Sequence, residues 1–379
     1  MKLQRICIIG DGLTGLTAAL ALKKLNIQIH LFGNFLNKKK INDNRVTAIS
    51  PSNYDFLFKF LNPKKKNLFN AIKKVDLYHE QKNEYFNFLN FENEGKNVMY
   101  ITKNNLLKKT IIQNLKKQKN LKIIKKSIKD INTTNSTIST NNSKSFYDLI
   151  LLCGGRNSVL ARKLMGNREI KNDKNEIALT TIVKHKSNII TSKQFFLKEG
   201  PLAILPLDKN KFSLVWSVKK NDYIIKNIKN SLKQKLKKIL KLNKEIKLSK
   251  ISFFPISFNL NTNFTKRNVL ILGEGSYNIH PIAGQGFNLI LRDISKLLDE
   301  IKHNLNLGLQ LKDSSILEEF SNSRKPENLL FGLGISVINS FFMYKHISPV
   351  AKELILRDID KFKFLKSLNL KISDKGIFK

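Results

Sequence analysis

Two glycine-rich segments carry the residue types that could bind a large anionic ligand. The first is Gly10-Asp11-Gly12-Leu13-Thr14-Gly15, which follows a short apolar run at 5–9 and opens a stretch with apolar residues at helical spacing. In that context the pattern is typical of dinucleotide binding. Gly10 would allow the tight turn, Gly12 the approach of a pyrophosphate, and Gly15 the close packing of helix on strand. The helix start would offer free N–H groups to the phosphates.

The second segment runs from Gly273 to Asp293 and also follows an apolar run that we interpret as a buried strand. Beyond Gly286 the apolar residues recur at helical spacing, so the residues before it would present unpaired amides at a helix start. Two such helix starts suit a long, two-ended cofactor better than a mononucleotide. We interpret His280 as structural. The candidate ligand-binding residues of this segment are Gly273, Glu274, Pro281, Gly284, Gln285, Gly286, Phe287 and Asn288.

The elements around these segments predict an α/β fold with a discontinuous Rossmann-like domain and a parallel sheet. A mostly antiparallel substrate sheet is inserted into it, and a helical region ends the chain. We expect a basic amphipathic helix at 223–248, a helix near Tyr54–Leu61, and a hairpin or surface loop at 132–145. The predicted division is 1–75, 101–175 and 261–312 for the nucleotide-binding domain, 76–100 and 176–260 for the substrate sheet, and 313–379 for the helical region.

Composition limits the classes of protein. The chain has 68 Lys and Arg against 29 Asp and Glu, a formal net charge of +39. The lysines are spread evenly, so we expect no nucleic-acid partner, which would need a basic face. Hydrophobic residues make up 41%, which excludes wholesale disorder. Two cysteines, Cys7 and Cys153, predict neither a disulfide framework nor a metal site, and favour a reducing cytoplasm.

The amino-acid sequence of Gly273–Asp293 resembles the second flavin motif of class A FAD-dependent monooxygenases, which share the para-hydroxybenzoate hydroxylase fold. It is similar in particular to the UbiH/UbiF-type ubiquinone-biosynthesis hydroxylases. Three further segments resemble that family in the same order and spacing: 43–50, 148–162, and 200–207 with 213–216. The resemblance covers residues 1 to about 345.

The resemblance implies FAD as cofactor, NAD(P)H as electron donor, and a flavin hydroperoxide that hydroxylates the ring of a polyprenyl phenol with molecular oxygen. It assigns Gly10, Gly12, Gly15 and Arg45 to the adenosine–pyrophosphate end, together with the intervening Leu13 and Thr14. The second segment would hold the ribitol and the isoalloxazine. Ubiquinone biosynthesis further implies a biosynthetic complex and a lipid-soluble substrate. We therefore expect contact with anionic membrane at the inner face of the cell membrane, through 223–248 or Phe341–Tyr344.

Three positions depart from the family pattern. Gly33 stands where the family has an acidic residue on the adenosine ribose, Gly154 replaces the aspartate of an Asp-Gly turn, and Glu274 replaces an aspartate near the ribitol. Lost hydrogen bonds to the ribose would weaken binding by about 1–3 kcal/mol. These departures leave two alternatives open: a flavin-poor scaffold without catalysis, or a hydroxylase of the same fold acting on another aromatic substrate. No general base stands out, and we interpret Trp216 as a core residue.

Overall fold

The computed structural model describes residues 3–33, 45–62, 68–116, 118–165, 169–221, 227–242, 245–261, 263–278, 284, 286–313, 315–343, 371–372 and 374–376. The helices are α1 (Leu13–Leu22), α2 (Pro51–Phe58), α3 (Asn104–Leu115), α4 (Val159–Met165), α5 (Ile228–Leu240), α6 (Gly286–Asn306) and α7 (Ile316–Met343). No helix among these residues is long and apolar enough to span a membrane.

The strands fall into four sheets. The first eleven are β1 (Arg5–Ile9), β2 (Gln28–Phe32), β3 (Val46–Ile49), β4 (Asn70–Ile72), β5 (Lys74–Gln81), β6 (Glu84–Glu92), β7 (Met99–Lys103), β8 (Leu121–Ile124), β9 (Asp130–Asn132), β10 (Thr137–Ser139) and β11 (Lys144–Phe146). The others are β12 (Leu149–Leu152), β13 (Glu169–Lys184), β14 (Ser192–Leu197), β15 (Gly200–Asp208), β16 (Lys211–Lys219), β17 (Lys247–Leu248), β18 (Ser252–Asn261), β19 (Thr265–Lys266), β20 (Val269–Ile271) and β21 (Tyr277–Asn278).

The central sheet has the strand order β19-β20-β12-β1-β2-β8, and every pair except β19–β20 is parallel. Its strands are continuous apolar runs because they are buried in one core with residues of α1, α3 and α6 and of the small β11-β10-β9 sheet. The register places Ile9 opposite Leu152, and Leu152 opposite Ile271. The three strands therefore end side by side, each just before a glycine turn. Ligands of open parallel sheets bind at such carboxyl ends, so the topology itself positions the site.

The second large sheet is mostly antiparallel, in the order β21-β18-β13-β16-β15-β14-β5-β6, with β17 on β13. Only the β14–β5 pair is parallel. Helix α5 covers it through its buried residues Leu232, Leu236 and Ile239. Trp216 on β16 is fully buried and donates its indole N–H to the Gly200 carbonyl oxygen at 3.2 Å. The interpretation of Trp216 as a core residue is confirmed.

Two small antiparallel sheets complete the fold. The order β3-β7-β4 forms one, and β11-β10-β9 forms the other. The second confirms the hairpin predicted at 132–145. Strand β3 matters for function because it runs directly into Ser50 and then α2. The α/β class, with its parallel sheet, inserted antiparallel sheet and C-terminal helix, is confirmed. The domain boundaries given above stay a prediction.

Two helices differ from the sequence prediction. The basic helix predicted at 223–248 is wrong at its C-terminal end, because α5 stops at Leu240. Lys241 then adopts a left-handed conformation, φ 50°, and its N–H bonds the last turn. Such a residue ends a helix, and Lys247–Leu248 pair with β13 as β17. The helix near Tyr54–Leu61 begins earlier, at Pro51, because proline fits the first helical turn.

Candidate cofactor-binding site

Two glycines of the first motif are required by the fold itself. Gly10 has φ +130°, and a Cβ atom there would lie 2.3 Å from the Cys153 carbonyl oxygen. A Cβ atom at Gly15 would lie 2.0 Å from the Gly10 carbonyl oxygen. The Gly10 N–H donates to the Phe32 carbonyl oxygen at 2.8 Å, which ties the turn to the end of β2. These contacts give Gly10 the tight turn and Gly15 the close helix packing that the sequence predicts.

Gly12 is different, because nothing in the protein accounts for its missing side chain. Its φ is −74°, which every residue adopts, and a Cβ atom there would meet no atom of the described residues within 4 Å. Gly12 is the N-cap of α1 and provides no side-chain hydrogen bond to the helix start. Leu13 and Thr14 form the first turn behind it. The start of α1 therefore faces open space with uncapped amides, as an anion-binding site requires.

Gly273, at the end of β20, lies against this same helix turn. Its φ is +85°, and a Cβ atom there would stand 2.8 Å from the Thr14 hydroxyl oxygen. The Gly273 carbonyl oxygen accepts hydrogen bonds from the Ser276 and Tyr277 N–H groups at 2.8 and 3.2 Å. Glu274 follows as an exposed residue of this turn. The structure thus brings the first motif and the start of the second into direct contact.

The later part of the second motif is hydrogen-bonded to β3 and Ser50. The side chain of Asn288 is buried; its Oδ1 accepts from the Ser50 N–H at 3.0 Å, and its Nδ2 donates to the Ala48 carbonyl oxygen at 3.1 Å. Gly284 has φ +66°, and a Cβ atom there would lie 3.3 Å from the Ala48 Cβ. Gly286 and Phe287 begin α6. Pro281 and Gln285, with His280, lie outside the described residues.

Arg45 lies at the seam between the cofactor motifs and the antiparallel sheet. Its guanidinium carbon sits 4.9 Å from the centre of the Phe254 ring on β18. Arg156, in the turn after β12, donates to the Pro255 carbonyl oxygen at 2.8 Å. Two cations therefore contact the same short stretch of β18. The assignment of Arg45 to the adenosine–pyrophosphate end remains a prediction.

At two of the three positions that depart from the family pattern, Gly33 and Gly154, a neighbouring side chain occupies the space that a larger residue would need. A Cβ atom at Gly33 would lie 2.6 Å from the Asp11 Cβ, and one at Gly154 would lie 2.6 Å from the Ser158 hydroxyl oxygen. The Ser158 hydroxyl accepts a hydrogen bond from the Ala161 N–H at 3.2 Å in α4. Sequence reasoning missed Asp11. The sequence did contain a clue: position 33 lacks the expected acidic residue, and the first motif contains one, Asp11.

Behind the second motif lies a buried ionic network that sequence reasoning also missed. Asp293 on α6 accepts from the Tyr277 hydroxyl at 2.5 Å and from the Arg324 Nε of α7 at 2.6 Å. Arg324 also bonds Glu327, which bonds Arg292 at 3.2 Å. Burial, and then the nearby Asp293 carboxylate, raise the pKa of Tyr277 well above its ordinary value. The network fixes α6 to α7 and so holds the helix that carries Asn288.

Asp374, among the described residues 371–372 and 374–376, also reaches this region. The Asp374 carboxylate accepts hydrogen bonds from the Ser52 N–H and hydroxyl, both at 2.7 Å. The Ser50 hydroxyl donates to the Asp374 carbonyl oxygen at 3.3 Å. An acidic side chain that accepts from the Ser52 N–H group in the first turn of α2 interacts favourably with the helix dipole. The end of the chain therefore supports the same turn that Asn288 clasps.

These features fit FAD. The start of α1 is open to a pyrophosphate at Gly12, while Gly273 and Gly284 let the second motif pack directly against Thr14 and Ala48. The start of α1 and the Gly273 turn stand beyond the ends of the parallel strands β1 and β20, and the first turn of α6 lies against Ala48 and Ser50. A cofactor with a phosphate-bearing half and a ring-bearing half can extend between them.

Comparison with known proteins agrees with this geometry. The family model for glucose inhibited division protein A matches residues 5–252, which is more than half of the chain. The chain belongs to this family. A second model, squalene epoxidase, matches residues 208–355. The resemblance of the glycine motifs to UbiH/UbiF-type hydroxylases is confirmed for this family member by its curated relatives.

The ubiquinone biosynthesis monooxygenase COQ6 of Dictyostelium discoideum is 26% identical over 89% of this chain and 84% of the relative. The 3-demethoxyubiquinol 3-hydroxylase of Escherichia coli is 25% identical over 39% of each chain. Among solved structures, p-nitrophenol 4-monooxygenase PnpA of Pseudomonas putida superposes with a TM-score of 0.79, at 14% identity and 99% coverage of both chains. At that identity the structural likeness shows the fold.

Proposed function

We propose that this protein is an FAD-dependent monooxygenase that hydroxylates the aromatic ring of a polyprenyl phenol in ubiquinone biosynthesis. The observation that carries the proposal is Gly12, whose missing side chain leaves the start of α1 open although the fold requires no glycine there. Its two relatives named above, a ubiquinone biosynthesis monooxygenase and a demethoxyubiquinol hydroxylase, support the choice of substrate ring.

FAD, when bound, supplies the redox chemistry, since NAD(P)H reduces it and the reduced flavin activates oxygen. The protein's own part is binding and orientation. The uncapped N–H groups after Gly12 bind phosphate, while the contact between Gly273 and Thr14 sets the distance between the two motifs. Asn288 holds the start of α6 against Ala48 and Ser50 and so fixes the ring-binding turn.

An apolar contact joins the substrate sheet to the small β3-β7-β4 sheet. Leu205 on β15 is buried together with Ile72 and Ile101 of the small β3-β7-β4 sheet. The Asn70 amide donates to the Pro206 carbonyl oxygen at 2.9 Å across the same seam. The substrate sheet therefore packs against the small β3-β7-β4 sheet. We propose that this apolar contact limits the entry of water, which would favour the side reaction in which NAD(P)H and oxygen yield hydrogen peroxide instead of a hydroxylated ring.

Ring hydroxylation consumes one NAD(P)H, one proton and one molecule of oxygen, and yields the hydroxylated ring, NAD(P)⁺ and water. The test uses FAD-loaded protein with a short-chain polyprenyl phenol in detergent and isotopically labelled dioxygen. We expect phenol-dependent NAD(P)H oxidation and one labelled oxygen atom in the product by mass spectrometry. Oxidation of NAD(P)H without label in any phenol would contradict the proposal.

We further propose that the protein meets its lipid-soluble substrate at an anionic membrane surface, on the cytoplasmic side. The apolar face of α5 is buried on the sheet, so only its lysine face can take part. Lys229, Lys237 and Lys238 are exposed there. In the other predicted contact, Phe341–Tyr344, the Phe342 ring stacks on Phe196 within the protein, with ring centres 3.7 Å apart, and Tyr344 lies outside the described residues. The proposed contact is therefore electrostatic. A biosynthetic complex on that surface is part of the same proposal.

A further inference from the structure

The side chain of Asp11 occupies the space beside Gly33. A Cβ atom at Gly33 would lie 2.6 Å from the Asp11 Cβ and 3.1 Å from its carboxyl carbon. Position 33 directly follows β2, and β2 is tied to the glycine turn by the bond from the Gly10 N–H to the Phe32 carbonyl oxygen. Asp11 and a side chain at position 33 therefore compete for one volume.

Within the part of the chain that the structure describes, no contact explains the Asp11 carboxylate. Only 9% of the residue is exposed. It makes no hydrogen bond and no ion pair with any residue that the structure describes. It does not cap α1 either, because the N-cap is Gly12 and no side chain bonds the helix start. Its carboxylate oxygens are not among the fully buried side-chain atoms without a partner, so beside the open start of α1 they are accessible to a ligand that supplies hydrogen-bond donors.

The position of Asp11, beside Gly33 at the end of β2, indicates the chemistry of that ligand. In dinucleotide-binding folds a carboxylate at the end of the second strand accepts hydrogen bonds from the ribose hydroxyl groups. This chain has glycine there and places a carboxylate in the same volume from the preceding turn. We propose that Asp11 binds the ribose diol of the adenosine half of FAD and takes the role that Gly33 cannot fill.

The inference rests on the proposed function only in its choice of FAD as the ligand. Placing the carboxylate at position 11 instead of position 33 has a steric consequence that does not depend on the ligand. A longer residue at position 33 can fit only if Asp11 loses its side chain. Gly33→Glu alone should therefore impair binding, although it adds the acidic residue that the family pattern has. The pair Asp11→Gly with Gly33→Glu should restore it.

The first experiment measures the Kd of FAD by flavin fluorescence for the full-length protein and its Asp11→Ala variant. A lost charge-assisted hydrogen bond predicts binding weaker by about tenfold to a hundredfold. Binding of FMN, which has no adenosine, should stay the same. The double variant Asp11→Gly/Gly33→Glu should regain most of the FAD affinity. An unchanged FAD Kd in Asp11→Ala, or equal losses for FAD and FMN, would overturn the assignment.

A second measurement is independent of the flavin half. ADP and 2′-deoxy-ADP are titrated by calorimetry into wild-type and Asp11→Ala protein. We expect wild-type protein to prefer ADP and the variant to bind both alike. If wild-type protein shows this preference but retains no FAD, the role of Asp11 stands and the monooxygenase proposal fails. If FAD binds tightly and Asp11→Ala changes nothing, the reverse holds. Wild-type protein that binds neither ligand overturns both.

Discussion

Gly273 lies directly against Thr14, so that a Cβ atom at position 273 would stand 2.8 Å from the Thr14 hydroxyl oxygen and 2.9 Å from its methyl carbon. Thr14 belongs to the first turn of α1, and Gly273 follows β20. The two glycine motifs, far apart in the sequence, therefore share one wall. A change at either residue should alter both halves of the proposed flavin site.

Gly273→Ala tests this shared wall. The new methyl group would clash with Thr14, and alanine at φ +85° is strained by about 1–2 kcal/mol. We expect a lower free energy of unfolding in urea and weaker FAD retention after desalting. Gly273→Ala with Thr14→Ala should recover part of the loss, because the hydroxyl and methyl groups are gone while the backbone strain remains. Equal losses in the single and double variants would show that the Thr14 contact has no role.

Gly12→Ala should separate binding from folding. Its backbone is ordinary and its Cβ would meet open space, so the free energy of unfolding should change by less than about 1 kcal/mol, because the lower entropy of the unfolded chain offsets the poorer N-cap preference of alanine. FAD affinity should fall at least tenfold, because the methyl group would stand before the helix start. Gly334→Ala, on the exposed face of α7 and also with open space, is the matched control. Its FAD affinity should equal that of wild-type protein.

Asn288→Leu removes the side-chain hydrogen bonds that join α6 to Ala48 of β3 and to Ser50. The Ser50 N–H and Ala48 carbonyl oxygen would lose a buried partner, at a cost of about 1–3 kcal/mol each. We expect loss of both stability and FAD retention. Asn304→Leu is the control, since Asn304 is buried on the same helix but bonds only the Glu300 carbonyl oxygen one turn away. If both variants retain FAD equally, Asn288 has no special place in the site.

Stability should fall at alkaline pH, partly through Tyr277. Its folded pKa is raised by burial and by Asp293, so its contribution is complete below the unfolded pKa of about 10 and is lost as pH rises beyond it. The loss is up to about 1.4 kcal/mol per pH unit for one group. Tyr277→Phe should be less stable at neutral pH but show a shallower alkaline slope in urea unfolding. Parallel slopes for variant and wild-type protein would contradict this account.

Membrane contact through α5 should depend on charge. We expect wild-type protein to pellet with liposomes that contain anionic lipid and to be released as salt rises. Lys237→Glu/Lys238→Glu should weaken pelleting, because both side chains are exposed on α5. Lys125→Glu/Lys126→Glu makes the same charge change at another exposed site. Equal weakening by both pairs would point to net charge rather than to the α5 surface.

Much of the site could be predicted because it rests on local sequence pattern. Apolar runs followed by glycine gave β1 and β20, and the helical spacing after Gly286 gave α6. Parallel strands then bring those glycine turns to one edge of the sheet. Gly12 and Asn288 were identified from the motifs alone, although their contacts were not.

The rest depended on contacts between distant parts of the chain. Nothing in the local sequence shows that Asp11 fills the volume beside Gly33, or that Asp293 meets Arg324 of α7. The end of α5 at Leu240 was missed because the lysine-rich pattern continues beyond it, while Lys241 turns left-handed and Lys247–Leu248 join the sheet. Periodicity cannot predict such a choice, since it depends on the neighbouring strand.

The central claim, that this protein holds a redox-active flavin, is tested most directly by its visible absorption spectrum after loading with FAD and desalting. We predict a retained two-band flavin spectrum that bleaches on addition of NAD(P)H without oxygen and returns when air is admitted. A colourless protein that retains no FAD would contradict the claim and would favour a non-catalytic scaffold.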